Sequence, residues 1–184
     1  AHMASINGCH PQLLRTVLEI NRDARRAIIQ KARDAMGGLT DKTVGILGLA
    51  FKPNTDDLRE APALEIIHLL QAEGATVKAY DPVVSDGAQK LAPELQLCES
   101  PYEVAAGVDC LILVTEWNEF KHLDMKRIKA LMSSNVMIDG RNIWDAEEMA
   151  RLGFNYMGVG RGSNTLQNGT NSPTAVRLAN TQSV

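Results

Sequence analysis

Three short runs of uninterrupted apolar character constrain the fold of this chain more than any other feature. They read TVGILGL, CLILVT and VMI and occupy residues 43–49, 110–115 and 136–138. Strands of this composition are typical of a parallel sheet that is buried on both faces by helices. Helical patterns separate the runs at the spacing of βα units. The sequence therefore predicts a doubly wound α/β domain.

The elements predicted around these runs alternate regularly along the chain. Strands are expected at 42–48, 76–80, 109–114, 136–138 and 156–159, and helices at 62–72, within 85–91, and at 101–106, 125–131 and 146–152. A long amphipathic helix is expected before them, with Pro11 in its first turn and the pair Gly37 and Gly38 at its end. The predicted fold class is thus a mainly parallel, Rossmann-like sheet that a long helix precedes.

The two ends of the chain differ in composition from its middle. The first five residues, AHMAS, are typical of a remnant left by an expression vector, so the chain is expected to be a fragment. Residues 6–38 are interpreted as the end of a longer helical region, and residues 39–160 as the α/β domain. Residues 161–184 are rich in Ser, Thr, Asn, Gln and Gly and have no sustained apolar period, which predicts a flexible tail.

Charge and cysteine usage exclude several classes of function. A net charge of −3 argues against a broad nucleic-acid surface, so any anion site must be local. No run approaches the roughly 20 apolar residues of a membrane span. The three cysteines, Cys9, Cys98 and Cys110, lack CxxC spacing, so the sequence indicates neither a disulfide framework nor a metal site, and it favours a cytoplasmic location.

Cationic side chains follow the predicted strands, at the edge where open parallel sheets bind ligands. Lys52, Arg59 and Arg141 are expected to converge there. Pro53 disfavours helical geometry at Lys52, so we expect an extended loop that presents the ammonium group, which could hold a phosphate. The alternative is a solvated loop in which Lys52 and Arg59 form ion pairs with the neighbouring acids Asp56, Asp57 and Glu60.

Three further positions after the strands each allow two interpretations. Arg141 has a planar guanidinium suited to phosphate or ribose oxygens, or it forms a structural salt bridge with Asp139 or Asp145. Gly45 and Gly48 belong to an incomplete dinucleotide fingerprint, or they only permit close packing. Asp81 occupies the position of a ribose-binding acid, or it only stops a strand.

The segment GILGLAFKPNTDDLREAPALEIIHLLQAEGATVKAYDP, with LLRTVLEINRDAR, DCLILVTEWNEF and VMIDGRNIWD, resembles the C-terminal third of UDP-glucose 6-dehydrogenases. These enzymes belong to the wider UDP-glucose/GDP-mannose dehydrogenase family, and the resemblance extends to about Gly158. It implies that residues 39–160 are a C-terminal UDP-binding domain and that residues 6–38 end the family's central helix.

The resemblance also implies site residues. Phe51 and Lys52 match substrate-contacting positions, Arg141 matches a position near the substrate and cofactor phosphates, and Arg59 matches one that reaches NAD across a cleft. The family oxidises UDP-glucose to UDP-glucuronate with two NAD, in polysaccharide biosynthesis, through a cysteine in a GGxCFPKD segment that is absent here. The fragment is therefore expected to be inactive, with no catalytic residue of its own.

The partners implied are UDP-glucose or UDP-glucuronate, an N-terminal domain that binds most of the NAD, and a second copy in a full-length homodimer. Two alternatives remain at the level of the sequence. The domain could come from a UDP-N-acetylmannosamine or GDP-mannose dehydrogenase, which share this layout. It could also be a free-standing α/β regulatory or interaction module, such as a receiver-like domain that uses Asp81 or Asp139.

Overall fold

The computed structural model describes residues 12–84 and 86–160. The predicted vector remnant at 1–5, the first residues of the 6–38 region and the predicted flexible tail at 161–184 lie outside these residues. The helices are α1 Gln12–Met36, α2 Pro62–Ala72, α3 Asp86–Leu91, α4 Pro101–Ala105, α5 Met125–Leu131 and α6 Ala146–Arg151. The strands are β1 Thr43–Leu47, β2 Thr76–Tyr80, β3 Gln96–Leu97, β4 Cys110–Leu113, β5 Val136–Asp139 and β6 Asn155–Gly158.

The six described strands form one parallel sheet in the order β3-β2-β1-β4-β5-β6. The strand order reverses between β1 and β4, which is the topological switch point of a doubly wound sheet. Leu47 is in register with Leu113, and Leu113 with Asp139, so β1, β4 and β5 end at the same level. The predicted α/β class is confirmed, and the switch point defines where a ligand-binding crevice is expected.

Two elements differ from the sequence-based expectation. The sequence predicted five strands, whereas the sheet has a sixth, β3, at its edge. This strand contains only Gln96 and Leu97, which is too short for any periodicity to be visible. A 3₁₀-helix at Asn118–His122 was also not predicted, because its charged sequence is typical of a loop.

Helix α1 is buried only near its carboxyl end. Ile28, Ile29 and Ala32 pack into the core, whereas the apolar side chains in the first half of the helix are exposed. Arg25 and Arg33 form ion pairs with Glu65 and Glu73, which join α1 to α2 and the residue that follows it. The contacts of the last turns therefore hold this helix on the domain. No described helix combines the length and the apolar character that crossing a membrane requires.

The middle of the sheet is packed closely enough to require a glycine. A Cβ atom on Gly45 in β1 would lie 2.7 Å from Cγ1 of Val104 and 2.9 Å from Cδ1 of Leu111. Both distances are shorter than a carbon–carbon contact allows, so Gly45 permits α4 to pack directly on β1 and β4. Of the two interpretations of Gly45, close packing is the one that the structure favours.

Candidate functional site

The loops that follow β1, β4 and β5 are joined to one another at the carboxyl edge of the sheet. Thr115, after β4, donates a buried hydrogen bond from Oγ1 to the carbonyl oxygen of Ala50, after β1, over 2.7 Å. The next residue, Glu116, binds the side chain of Arg141, after β5. Through residues 115 and 116, the loop that carries Lys52 and the turn that carries Arg141 are therefore both attached to the loop after β4, beside the switch point.

Gly48 allows the first two of these loops to approach each other. Its φ angle is +89°, and a Cβ atom there would lie 2.5 Å from Cβ and 2.8 Å from the backbone nitrogen of Thr115. Any other residue would be strained by the backbone angle and would also collide with the neighbouring loop. The space beside this turn is filled by protein, so Gly48 serves packing and does not leave room for a dinucleotide phosphate.

Asp81, which follows β2, is a structural residue. Its side chain is buried, at 6% relative exposure, and its oxygens accept five N–H hydrogen bonds of 2.7 to 3.0 Å, from the backbones of Leu49, Ala50, Val83 and Val84 and the indole of Trp117. Such a carboxylate has little capacity left for a ribose hydroxyl. The interpretation of Asp81 as a ribose-binding acid is therefore not favoured, and the turn interpretation is.

The loop after β1 turns back on itself and is not extended as expected. The backbone N–H of Phe51 donates to the carbonyl oxygen of Asp57 over 2.8 Å, and Asn54 has a φ angle of +61°. Phe51 is 51% exposed, an unusual position for a phenyl ring in a small domain. Lys52 is exposed and forms no salt bridge with any residue in the described ranges. The turn thus presents an aromatic ring and an ammonium group side by side.

Arg59 forms the ion pair that the alternative interpretation of this loop predicted. Its Nε and Nη2 donate to the two carboxylate oxygens of Asp57, over 2.9 and 2.8 Å, and its side chain is 89% exposed. Hydrogen bonds from Arg59 lower the pKa of Asp57 to about 2. Asp57 therefore accepts from Arg59 and not from Lys52, and the exposed guanidinium projects from the same loop.

Arg141 is held by a carboxylate that sequence reasoning did not identify. Its Nη2 donates to Oε1 of Glu116 over 2.6 Å and its Nε to Oε2, while its backbone N–H donates to Asp139 over 2.9 Å. The hydrogen bonds from Arg141 lower the pKa of Glu116. The side-chain partners considered from sequence, Asp139 and Asp145, were wrong. Glu116 could have been noticed only as a member of the loop after a buried strand.

Asp139 stabilises the turn that carries Arg141 and is inaccessible to a ligand. It has no exposed surface, and its Oδ2 accepts hydrogen bonds from the backbone of Trp144 and the hydroxyl of Tyr156, over 3.0 and 2.8 Å. Asn142, at a φ angle of +55°, exchanges two hydrogen bonds of 3.1 Å with the backbone of Val159. The turn that presents Arg141 is therefore rigidly attached to β5 and β6.

Neither described cysteine has the environment of a nucleophile. Cys110 is fully buried in β4 and Cys98 is partly buried, and burial raises the pKa of both thiols. A reactive cysteine needs the opposite change, a lowered pKa that favours the thiolate. Within residues 12–84 and 86–160, no group of three His, Cys, Asp or Glu side chains could hold a metal ion.

Comparison with known proteins gives consistent matches. The model of the UDP-glucose/GDP-mannose dehydrogenase family, UDP binding domain, matches residues 45–146. UDP-glucose 6-dehydrogenase of Rhizobium meliloti is 42% identical over 151 residues, which cover 82% of this chain and 35% of that protein. The chain thus spans about a third of the length of the curated relatives that it matches.

Solved structures agree with the sequence matches. A UDP-glucose dehydrogenase from the archaeon Pyrobaculum islandicum superimposes with a TM-score of 0.72 at 32% identity, covering 86% of this chain and 34% of that one. A UDP-D-ManNAc dehydrogenase from Pyrococcus horikoshii has a TM-score of 0.61 at 28% identity, with 75% and 30% covered.

Proposed function

This chain belongs to the UDP-glucose/GDP-mannose dehydrogenase family, and from that membership we propose that it is the nucleotide-sugar-binding C-terminal domain of a UDP-glucose 6-dehydrogenase. The complete enzyme would oxidise UDP-glucose to UDP-glucuronate with two NAD in the cytoplasm. The sugar assignment follows the relatives named for UDP-glucose. The fragment by itself would bind the nucleotide and catalyse nothing.

The observation that carries this proposal is the connection between the Lys52 loop and Arg141 at the switch point. Lys52 and Arg141 follow parallel strands of separate βα units, and the hydrogen bond of Thr115 and the ion pair of Glu116 attach both segments to the loop after β4, which supports a shared site. A diphosphate offers charged oxygens that suit both an ammonium and a guanidinium group. The UDP binding domain match, residues 45–146, contains every one of these positions.

Each predicted site residue has a role in this proposal. Lys52 would contact the diphosphate, and the exposed ring of Phe51 would pack against the base or sugar of the substrate. Arg141 would bind near the substrate and cofactor phosphates. Arg59, which projects from the same loop as Lys52, would reach NAD across the cleft of the complete enzyme.

NAD itself would be bound mainly by an N-terminal domain outside this chain. The glycines of the first turn, Gly45 and Gly48, lie against Val104 and Thr115, so they do not form the open turn that a dinucleotide phosphate needs. The residues described here therefore do not fit a complete NAD site. Because burial raises the pKa of both described thiols, the nucleophilic cysteine would come from outside the described residues. By the resemblance to the family, the complete enzyme would be a homodimer.

Titration calorimetry with UDP tests the proposal, with Lys52→Ala as the diagnostic variant. We expect the wild-type chain to bind UDP and Lys52→Ala to bind it ~10- to 100-fold more weakly, because one charge-assisted hydrogen bond is lost. The matched control is Lys42→Ala. It removes the same charge immediately before β1, at the opposite edge of the sheet. UDP binding that Lys52→Ala leaves unchanged, or that Lys42→Ala weakens equally, would contradict the assignment.

A second candidate function is supported by the similarity to the UDP-D-ManNAc dehydrogenase of Pyrococcus horikoshii. The domain would then belong to a UDP-N-acetylmannosamine dehydrogenase, or to a GDP-mannose dehydrogenase within the same family. Calorimetry with GDP distinguishes a GDP-mannose dehydrogenase from the two UDP-sugar enzymes, because a UDP-sugar site is expected to bind GDP more weakly than UDP. The receiver-like alternative has little support, since Asp81 and Asp139 are both buried and hydrogen-bonded.

A further inference from the structure

Three consecutive residues after β4 organise the edge of the sheet that carries the proposed nucleotide site. Thr115 holds the carbonyl oxygen of Ala50, and Glu116 holds the guanidinium of Arg141. Trp117 donates its indole N–H to Asp81, which also accepts from the backbone of Leu49 and Ala50. The segment 115–117 therefore contacts the start of the Lys52 loop on one side and the Arg141 side chain on the other.

The ion pair between Glu116 and Arg141 leaves part of the guanidinium available. Glu116 accepts from Nε and Nη2, which form one edge of the planar group. A guanidinium has five N–H donors, so the two on Nη1 and the second on Nη2 point away from the carboxylate. The side chain of Arg141 remains 48% exposed with this ion pair in place. Glu116 thus restricts the orientation of Arg141 without occupying all of its donors.

We propose that Glu116 is a positioning residue of the nucleotide site, and that it aims the free edge of the Arg141 guanidinium at the diphosphate. This inference rests on the proposed function. Without Glu116, Arg141 would sample several rotamers, and UDP would have to order it on binding. A carboxylate near a diphosphate also repels it, so orientation and repulsion have opposite effects on affinity. The proposal requires orientation to outweigh repulsion, so the sign of the change in affinity on loss of the carboxylate must be a weakening.

Calorimetry with UDP on Glu116→Gln measures that sign. We expect binding ~10-fold weaker than in the wild-type chain, because the neutral amide makes a much weaker bond to Arg141. Glu119→Gln is the matched control, since it removes the same charge from an exposed position three residues away, and the hydrogen bonds and ion pair described for Arg141 do not involve Glu119. Unchanged or tighter binding in Glu116→Gln would overturn the proposal.

A double-mutant cycle separates positioning from a general loss of structure. If Glu116 acts through Arg141, adding Glu116→Gln to Arg141→Ala will produce no further weakening of UDP binding. If the substitution only loosens the loop after β4, it will weaken UDP binding equally in both backgrounds, and the proposal would be wrong. Glu116→Asp keeps the charge on a shorter side chain and is expected to have intermediate affinity.

A spectroscopic readout tests the orientation without any ligand. The Nε–H signal of Arg141 in a ¹H–¹⁵N spectrum is assigned by its absence in Arg141→Lys. We expect this signal to shift in Glu116→Gln and not in Glu119→Gln, and an unshifted signal would refute the orienting contact. If the signal shifts but the wild-type chain and every variant fail to bind UDP, the proposed function fails, and the nucleotide role of Glu116 fails with it.

Discussion

Asp81 follows β2 and Asp139 is the last residue of β5, so both lie at the edge of the sheet where many α/β proteins place a carboxylate that binds a ligand. Their side chains instead accept hydrogen bonds from backbone and side-chain donors of this chain. Glu116, which is partly exposed and charged, is the acid that contacts a proposed site residue. At the scale of single residues, burial and donor count therefore distinguish a structural carboxylate from a functional one.

Asp81→Asn tests the structural role. The substitution preserves the size of the side chain, but its amide nitrogen would face N–H donors in place of one of the two oxygens. We expect the free energy of unfolding to fall by about 3 kcal/mol, since buried donors would lose a charged acceptor. Urea denaturation measures the change, and Asp56→Asn, at an exposed position on the loop after β1, is the control. Equal midpoints for the two variants would contradict the structural role.

At the scale of elements, the junction between β1 and its loop depends on a glycine. Gly48 combines a positive φ angle with a contact to the backbone of Thr115 that leaves no space for a Cβ atom. Gly37, at the end of α1, has a φ angle of +70° but no atom within 4 Å of the position of a Cβ. A comparison of substitutions at Gly37 and Gly48 therefore separates the effect of backbone strain from that of steric collision.

We expect Gly48→Ala to destabilise the domain by about 3 kcal/mol or more, because strain and overpacking act together. Gly37→Ala should lower the free energy of unfolding by only about 1 kcal/mol, the contribution of the left-handed backbone alone. Urea denaturation of both variants provides the comparison. Similar losses at the two glycines would mean that the loops after β1 and β4 do not pack as closely as described.

At the scale of the whole molecule, the pH dependence of stability reflects groups whose pKa differs between the folded and unfolded chain. Burial, reinforced by Glu119, raises the pKa of Tyr80 to about 12. Tyr80 is the last residue of β2, and its ring packs against that of Phe120 with ring centroids 6.2 Å apart. Because the unfolded pKa is about 10, the folded state retains the phenol proton more strongly than the unfolded state does.

The contribution of Tyr80 to stability is therefore complete below pH ~10 and is lost as the pH rises toward 12. We expect Tyr80→Phe, which keeps the ring and removes the hydroxyl, to lose less stability than the wild-type chain between pH 9 and pH 11.5. Urea midpoints at the two pH values measure the difference. A parallel decline in both proteins would show that Tyr80 does not contribute to the alkaline limit.

Local patterns in the chain were sufficient to predict most of the helices and strands. Continuous apolar runs identify buried parallel strands because each residue of such a strand faces a helix layer. The apolar runs did not predict β3, because two residues are too few to show a periodic pattern. Pro53 predicted an extended loop at Lys52, whereas the loop turns back on itself.

The pairings that define the site were decided only by the tertiary structure. Ala50 and Thr115 are 65 residues apart, Asp81 and Trp117 are 36 apart, and Glu116 and Arg141 are 25 apart. Such contacts arise because the strand order places β4 between β1 and β5, so that distant loops become neighbours. The sequence by itself determines which types of residue follow each strand at the carboxyl edge of the sheet. Which carboxylate holds which cation depends on distances across strands, and these exist only once the sheet has formed.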